Sequence, residues 1–197
     1  MQRGMAELQI ITVTGPALAP HVPALTRLRL AVFAEWPYLY DGVESDEERY
    51  LGSYANSPGA AIVLALVDGV AVGAATCQPM AEAAPSVRAC GLDPATHAYF
   101  GESVLLPAYR GRGVGVAFFA AREAHARALG HAHAAFCAVV RNQNDPRRPP
   151  DYTPLDGFWR KRGYTPRPEL SCIMHWAEPG DDGRESPHAL SFWVKTL

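Results

Sequence analysis

The sequence predicts an α/β fold in which about four helices pack on one mixed, mostly antiparallel sheet of about six to seven strands. Three observations carry this reading. Two apolar runs, 60–67 and 70–78, flank Asp68-Gly69, which is the signature of a hairpin. Apolar residues recur at helical spacing along 25–33 and again along 114–128. A strand-like run, a glycine-rich loop and the second of these helices follow one another directly between Tyr99 and Gly130.

The elements follow in chain order. Leu8 to Thr14 alternates Ile, Val and Thr as a first strand, and Pro16, Pro20 and Pro23 punctuate the turn after it. Leu25, Leu28, Arg29, Val32 and Phe33 mark a helix that Pro37 ends or kinks. Residues 36–42 form an aromatic turn. Ser45 to Tyr54 reads as a second helix, with Ser45 and Glu48 spaced as a capping box. The hairpin follows, and then an Ala- and Pro-rich insertion at 79–96 with a short helix. Tyr99 to Leu106 is the next strand. The helix from Gly115 to Leu129 presents Val114, Ala117, Phe118, Ala121, Ala124 and Ala128 as its apolar stripe and closes at Gly130. Ala134–Val140 is a strand, 142–154 a long loop, Leu155–Arg162 a short helix, and Leu170–Trp176 and Leu190–Val194 the last strands.

Composition narrows the function. With 197 residues, 48% hydrophobic and 19% charged, the chain can bury a core, and one domain over 1–197 is expected. A net charge of −2 argues against bulk nucleic-acid binding. The charge is uneven: 35–49 is acidic and 141–162 basic, and two solvated faces would explain both. Cys77, Cys90, Cys137 and Cys172 form no CxxC pair, which suits a reduced, cytoplasmic setting. No charged segment followed by an apolar one opens the chain, so no signal peptide is expected. No apolar run approaches ~18 residues, so no membrane partner is expected. His131 and His133 share a strand face without a third ligand, so no metal is expected.

The sharpest feature is the run from Val104 to Gly115, Val-Leu-Leu-Pro-Ala-Tyr-Arg-Gly-Arg-Gly-Val-Gly. Glycines let main-chain N–H groups approach an anion, a helix N-terminus adds unpaired donors and partial positive charge, and Arg110 and Arg112 add full charges. Together these make a diphosphate cradle. No Gly-Lys-Ser/Thr follows, and the glycine spacing is not that of the dinucleotide fingerprint. A plain glycine-rich turn or an Arg-Gly nucleic-acid patch is the alternative.

At these residues the chain resembles the GNAT superfamily of N-acetyltransferases, whose motif Arg/Gln-x-x-Gly-x-Gly/Ala stands here as Arg110-x-x-Gly113-x-Gly115. The lead-in Pro107-Ala108-Tyr109-Arg110-Gly111 and the late Phe158–Tyr164 segment are similar too. The resemblance implies the GNAT fold, with a central sheet splayed in the middle, and acetyl-CoA as acyl-donor co-substrate. It implies that main-chain groups of Val104, Leu105 and Leu106 pair with the pantetheine arm. It implies that N–H groups of Arg110, Gly111, Arg112, Gly113, Val114, Gly115 and Val116 hold the pyrophosphate. The thioester would lie where the strand ending at Leu106 leaves 134–140. The basic residues of 141–148 or 160–162 are candidates for the 3′-phosphate.

The chemistry is less defined. Transfer to an amine of pKa near ~10.4 requires that a base or a water chain take a proton. Glu102 is the first candidate base, with a structural carboxylate as the alternative. The family's usual acid, a Tyr on the late helix, is replaced by Trp159, which cannot donate a catalytic proton. Tyr152 is a candidate substitute, and a thiol can also leave unaided. Cys137 is a formal nucleophile, with core packing the simpler reading. Trp36, Tyr38 and Tyr40 are candidates for the wall of an amine pocket, with Glu35 or Asp41 attracting a cation, or else pack the helices onto the sheet. The expected activity is acetylation of a small-molecule or amino-acid-like amine, and a homodimer is compatible with it. Acetylation of a protein or peptide, and a non-catalytic acyl-CoA sensor, are the alternatives.

Overall fold

The computed structural model describes residues 7–197. The alternating run Leu8–Thr14 forms β1, an edge strand of the sheet. A 3-10 turn, Gly15–His21, carries Pro16 and Pro20 into α1 (Val22–Phe33), which buries Leu25, Thr26 and Leu28. α2 (Glu44–Ala55) starts one residue earlier than its capping signal predicts. The Asp46 and Glu47 N–H groups go to the Val43 carbonyl, so Ser45 lies inside the first turn instead of capping it.

β2 (Ala61–Val67) and β3 (Val70–Pro79) form the expected hairpin. Asp68 and Gly69 sit at φ 50° and 78°, the mirror-image turn that matches the twist of paired strands. The insertion holds a 3-10 turn and the short α3 (Pro85–Arg88). The single strand expected at 99–106 is two strands, β4 (His97–Tyr99) and β5 (Ser103–Leu105), with a break between them. β6 (His133–Val139), α5 (Asp156–Lys161), β7 (Thr165–Trp176) and β8 (Ser186–Thr196) complete the chain. β7 runs longer than its apolar segment because a bulge between Arg167 and Ser171 carries its polar first half onto β8.

α4 (Val114–Ala128) buries Val114 and Phe118 of the predicted stripe and departs from it in its second half. Ala124 and Ala128 are exposed, while Arg122 and Glu123 are buried. The Arg122 guanidinium lies over the Phe100 and Phe119 rings at 4.6 and 4.7 Å, and Glu123 takes a 2.8 Å bond from Lys195. Partners far away in the chain make those charges acceptable inside, and a count of apolar residues does not see them.

Among the described residues the sheet has eight strands in the order β1-β2-β3-β4-β6-β8-β7, with β5 also on β3. β4 and β6 are parallel and every other pair is antiparallel. The strand count exceeds the expectation because one predicted strand is split. α1 and α2 pack with Ile62, Leu64, Ala74 and Val104 on one face of β2, β3 and β5. Val114 and Phe118 of α4 pack with Val63, Ala65 and Ala75 on the other face.

The break positions everything that follows. β4 stays with β6 as far as Tyr99 opposite Ala135, and the Phe100 N–H still reaches the Ala135 carbonyl at 2.9 Å. Beyond that point β5 turns to β3 and β6 continues with β8. The two strands part and leave a splay in the sheet. No helix among the described residues is long and apolar enough to cross a membrane.

Candidate active site at the splayed strands

The glycine loop stands at the N-terminus of α4. Gly111 and Gly113 adopt φ of 75° and 81°, which other residues adopt only under strain, and a Cβ on either would meet nothing within 4 Å. The space in front of the loop is therefore open. Gly113 caps α4 with no side-chain hydrogen bond, so the first-turn N–H groups keep their donors. Gly115 serves differently: its Cβ would come within 3.2 Å of Phe158, so it lets α5 approach. One expected donor is spent, since the Arg110 N–H bonds to the Pro107 carbonyl at 3.1 Å. The Arg110 side chain reaches the Leu105 carbonyl at 3.1 Å and Glu35 at 2.9 Å, while Arg112 lies over the Tyr109 ring.

Strand register decides which main-chain groups face the splay. The Thr76 N–H bonds to the Glu102 carbonyl and the Leu106 N–H to the Val72 carbonyl, both at 3.0 Å. Glu102, Val104 and Leu106 therefore direct their main-chain groups to β3, and Ser103 and Leu105 direct theirs away from it. Of the expected Val104, Leu105 and Leu106, only Leu105 directs its main chain away from β3, and Ser103 does so with it. On the facing strand the Val140 N–H bonds to Ala189 on β8 at 2.9 Å, so Cys137 and Val139 turn their main-chain groups toward the splay. Two unpaired strand edges face each other there. Facing edges of this kind are the arrangement that an extended ligand arm can join by adding a strand.

Beside the splay, on the α1–α2 face, lies a buried ionic cluster. The Arg29 guanidinium bonds to Glu102 at 2.6 Å and makes a two-point contact with Glu47. Glu102 also accepts from the Tyr50 hydroxyl at 2.9 Å and the Thr76 hydroxyl at 2.5 Å. Arg122, from the opposite face, reaches the Glu102 carbonyl at 3.3 Å. Burial opposes the Arg29 charge, but Glu102 and Glu47 outweigh it and hold the guanidinium above its ordinary value. Burial pulls the Arg122 guanidinium down to about 10. The ring of Tyr50 is partly exposed, yet its hydroxyl turns inward, and burial and Glu102 push that phenol up. Glu102 thus stands at the strand break, with both oxygens engaged.

The aromatic turn borders the same opening. Arg141 bonds to the Pro37 and Tyr38 carbonyls, each at 2.5 Å, and Trp176 Nε1 donates to the Tyr38 carbonyl at 3.1 Å. Glu178 pairs with Arg141 and Arg147, each at 2.5 Å, and ties 142–154 to the segment after β7. Burial alone would raise the Glu178 carboxyl, but the two arginines bring it below its ordinary value. Arg141 and Arg147 are thereby engaged in this clamp. The Tyr38 ring packs on Phe33 at 4.5 Å and Trp176 at 5.9 Å. Burial and Glu47 push the Tyr40 phenol up. Tyr152 stands edge-on to Trp36 at 6.2 Å. Glu35 is paired with Arg110, while Asp41 is exposed.

Trp159 is half-buried and packs against Phe136 and Trp193 at 5.1 and 5.0 Å, on the edge of the core. Cys137 is buried 4.0 Å from the Cys172 sulfur, and that contact together with burial pushes its thiol well up, as befits packing and not a nucleophile. Sequence reasoning did not place Arg29, Glu47, Tyr50 and Thr76 beside Glu102, and it read Arg141 as a phosphate candidate and not as part of a clamp. One signal was present: Arg29 interrupts an otherwise apolar helical stripe.

Comparison with known proteins agrees with this geometry. The family model described as Acetyltransferase (GNAT) family matches residues 27–149. A comparison with curated proteins gives no match. Among solved structures, the chain is similar to a ribosomal-protein-alanine N-acetyltransferase from Brucella melitensis, with 16% identity, TM-score 0.62, and 96% of this chain and 99% of that one covered. It is similar to yncA from Salmonella typhimurium, solved with its cofactor acetyl-CoA, with 15% identity, TM-score 0.58 and coverage of 98% and 95%. It is similar to the aminoglycoside N-acetyltransferase AAC(6')-Iy in complex with CoA, with 17% identity, TM-score 0.54 and coverage of 82% and 88%. At these identities the likeness is one of fold. The family match spans the strand break, the glycine loop, α4 and β6, and the chain belongs to the acetyltransferase (GNAT) family.

Proposed function

We propose that this acetyltransferase transfers the acetyl group of acetyl-CoA to the primary amine of a small molecule by direct attack, within one catalytic domain over 1–197. The observation that carries the reading is the pair of unpaired strand edges, Ser103–Leu105 and Cys137–Val139, opening directly beside the α4 N-terminus. Acetyl-CoA supplies the activated acyl group. N–H groups from Gly111 to Val116 hold its pyrophosphate, and the Ser103 and Leu105 main chain aligns the pantetheine arm. Arg110 must then release the Leu105 carbonyl, which makes its side chain part of the binding step.

Trp36, Tyr38 and Tyr40 line the acceptor side. Glu47 and Glu102 are paired with Arg29, and the exposed Asp41 beside this turn is the carboxylate left to attract a cationic amine. We read Glu102 as the anchor of the strand break, since donors occupy both of its oxygens. Water is then the acceptor of the amine's surplus proton. Tyr152 is a rim residue in this reading, touching the acceptor only past Trp36.

A peptide acceptor is the second reading, and it needs an open groove. The clamp of Arg141 and Arg147 on Glu178 holds 142–154 against the acceptor side and favours the smaller substrate. The test is release of free CoA thiol from acetyl-CoA against a panel of diamines, amino sugars, amino acids and peptides. Turnover with small cationic amines is expected. Turnover confined to peptides would overturn the acceptor class, and thiol release with none of them would leave only an acyl-CoA sensor.

A further inference from the structure

Arg122 of α4 is among the largest buried side chains, and it bonds to no carboxylate among the described residues. Its Nε donates to the Phe118 carbonyl and its Nη1 to the Glu102 carbonyl, both at 3.3 Å. Nη2 is buried and has no hydrogen-bond partner among the described residues. A guanidinium buried against carbonyls alone costs stability, and burial pulls this one down to about 10. A methionine of similar length would pack on the Phe100 and Phe119 rings without that cost.

The place of the charge gives the cost a purpose. The chain changes partners across Phe100, Gly101 and Glu102. The Phe100 N–H makes the last bond to β6, at the Ala135 carbonyl. The Glu102 N–H goes instead to the Thr76 hydroxyl at 2.9 Å, and the Glu102 carbonyl accepts the Thr76 N–H at 3.0 Å. Arg122 touches both ends of this step, since its guanidinium covers the Phe100 ring and bonds to the Glu102 carbonyl. Gly101 between them leaves no room for a side chain, because a Cβ there would collide with the Tyr54 hydroxyl.

The peptide from Glu102 to Ser103 is planar and trans, so the Ser103 N–H points opposite to the Glu102 carbonyl. Two donors hold that carbonyl, Thr76 from β3 and Arg122 from α4. They thereby direct the Ser103 N–H into the splay, and the cation polarises it as a donor. Unpaired strand edges attract a partner, and zipping β5 onto β6 would satisfy both edges and shut the gap. A second donor on the Glu102 carbonyl opposes that closure.

We propose that Arg122 is a positioning residue for acetyl-CoA, which acts through the Glu102 carbonyl to aim the Ser103 N–H into the splay and keep the β5 edge open to the pantetheine arm. This rests on the acetyl-transfer reading.

The test is Arg122→Met, which keeps the length of the side chain and its packing on Phe100 and Phe119. Calorimetry compares CoA with 3′-phospho-ADP, which carries the pyrophosphate and no pantetheine. CoA affinity is expected to fall about ten- to hundredfold, the scale of one charge-assisted hydrogen bond, and 3′-phospho-ADP affinity to stay within about twofold. The urea unfolding midpoint is expected to equal or exceed the parent's, because an apolar side chain replaces a buried cation. A merely structural role would lower that midpoint and weaken both ligands alike. If the methionine variant does not fold, Arg122→Lys, which keeps the charge and loses the fork across the two carbonyls, is read by the same comparison of ligands. Unchanged CoA affinity, or equal loss of both ligands, would overturn the proposal. Absence of CoA binding by the parent chain would instead overturn the acetyl-transfer reading beneath it.

Discussion

Arg29 carries two carboxylates, Glu47 and Glu102, between α1, α2 and the break before β5. Removing the cation would leave two buried anions facing each other, and Arg29→Met is expected to cost about 3–5 kcal/mol in urea unfolding. An unfolding midpoint equal to the parent's would contradict the pairing. Glu102→Gln separates anchor from base. As an anchor it should lower the melting temperature and change kcat less than about tenfold with an unaltered pH–rate profile, whereas loss of a base costs about 10²–10⁴. The sequence placed Glu102 at the right point of the chain but not among the right partners. Arg29 comes 73 positions earlier and Tyr50 comes 52. Such partners become neighbours only once α1 and α2 lie on the sheet.

At the scale of elements, the loop and its helix were legible because their requirements are local. Positive φ at Gly111 and Gly113, and an uncapped helix start, follow from adjacent residues. Gly113→Glu forces a side chain into that backbone region and adds negative charge at the anion site. Calorimetry should find CoA binding abolished, with the circular dichroism spectrum unchanged. The strand break was not legible, since Tyr99 to Leu106 continues as one strand-like run. The bonds of Thr76 and Arg122 to Glu102 hold it open, and they come from β3 and α4. The Glu178 clamp was equally hidden. Its two arginines lower that carboxyl, so its stabilisation is present above the ordinary carboxylate range near 4.5 and lost as the pH falls below it. Thermal melts of Glu178→Gln and the parent should differ at pH 7 and converge as the solution is acidified toward pH ~3. A gap that persists in acid would refute the ionic account.

The whole molecule turns a mixed sheet into a site by parting two neighbouring strands. Its α/β class, the hairpin and the strand–loop–helix unit were readable, because each rests on periodicity or turn chemistry. The eight-strand order and the facing edges of β5 and β6 depend on register, which pairs residues remote in the chain. The central claim is that donor and acceptor meet in that splay. A crystal structure with bound CoA tests it most directly. The account predicts main-chain bonds from Ser103 and Leu105 to the pantetheine arm, the pyrophosphate at Gly111 to Val116, and the sulfur in the gap between β5 and β6. A pantetheine arm lying outside the gap between β5 and β6 would contradict it.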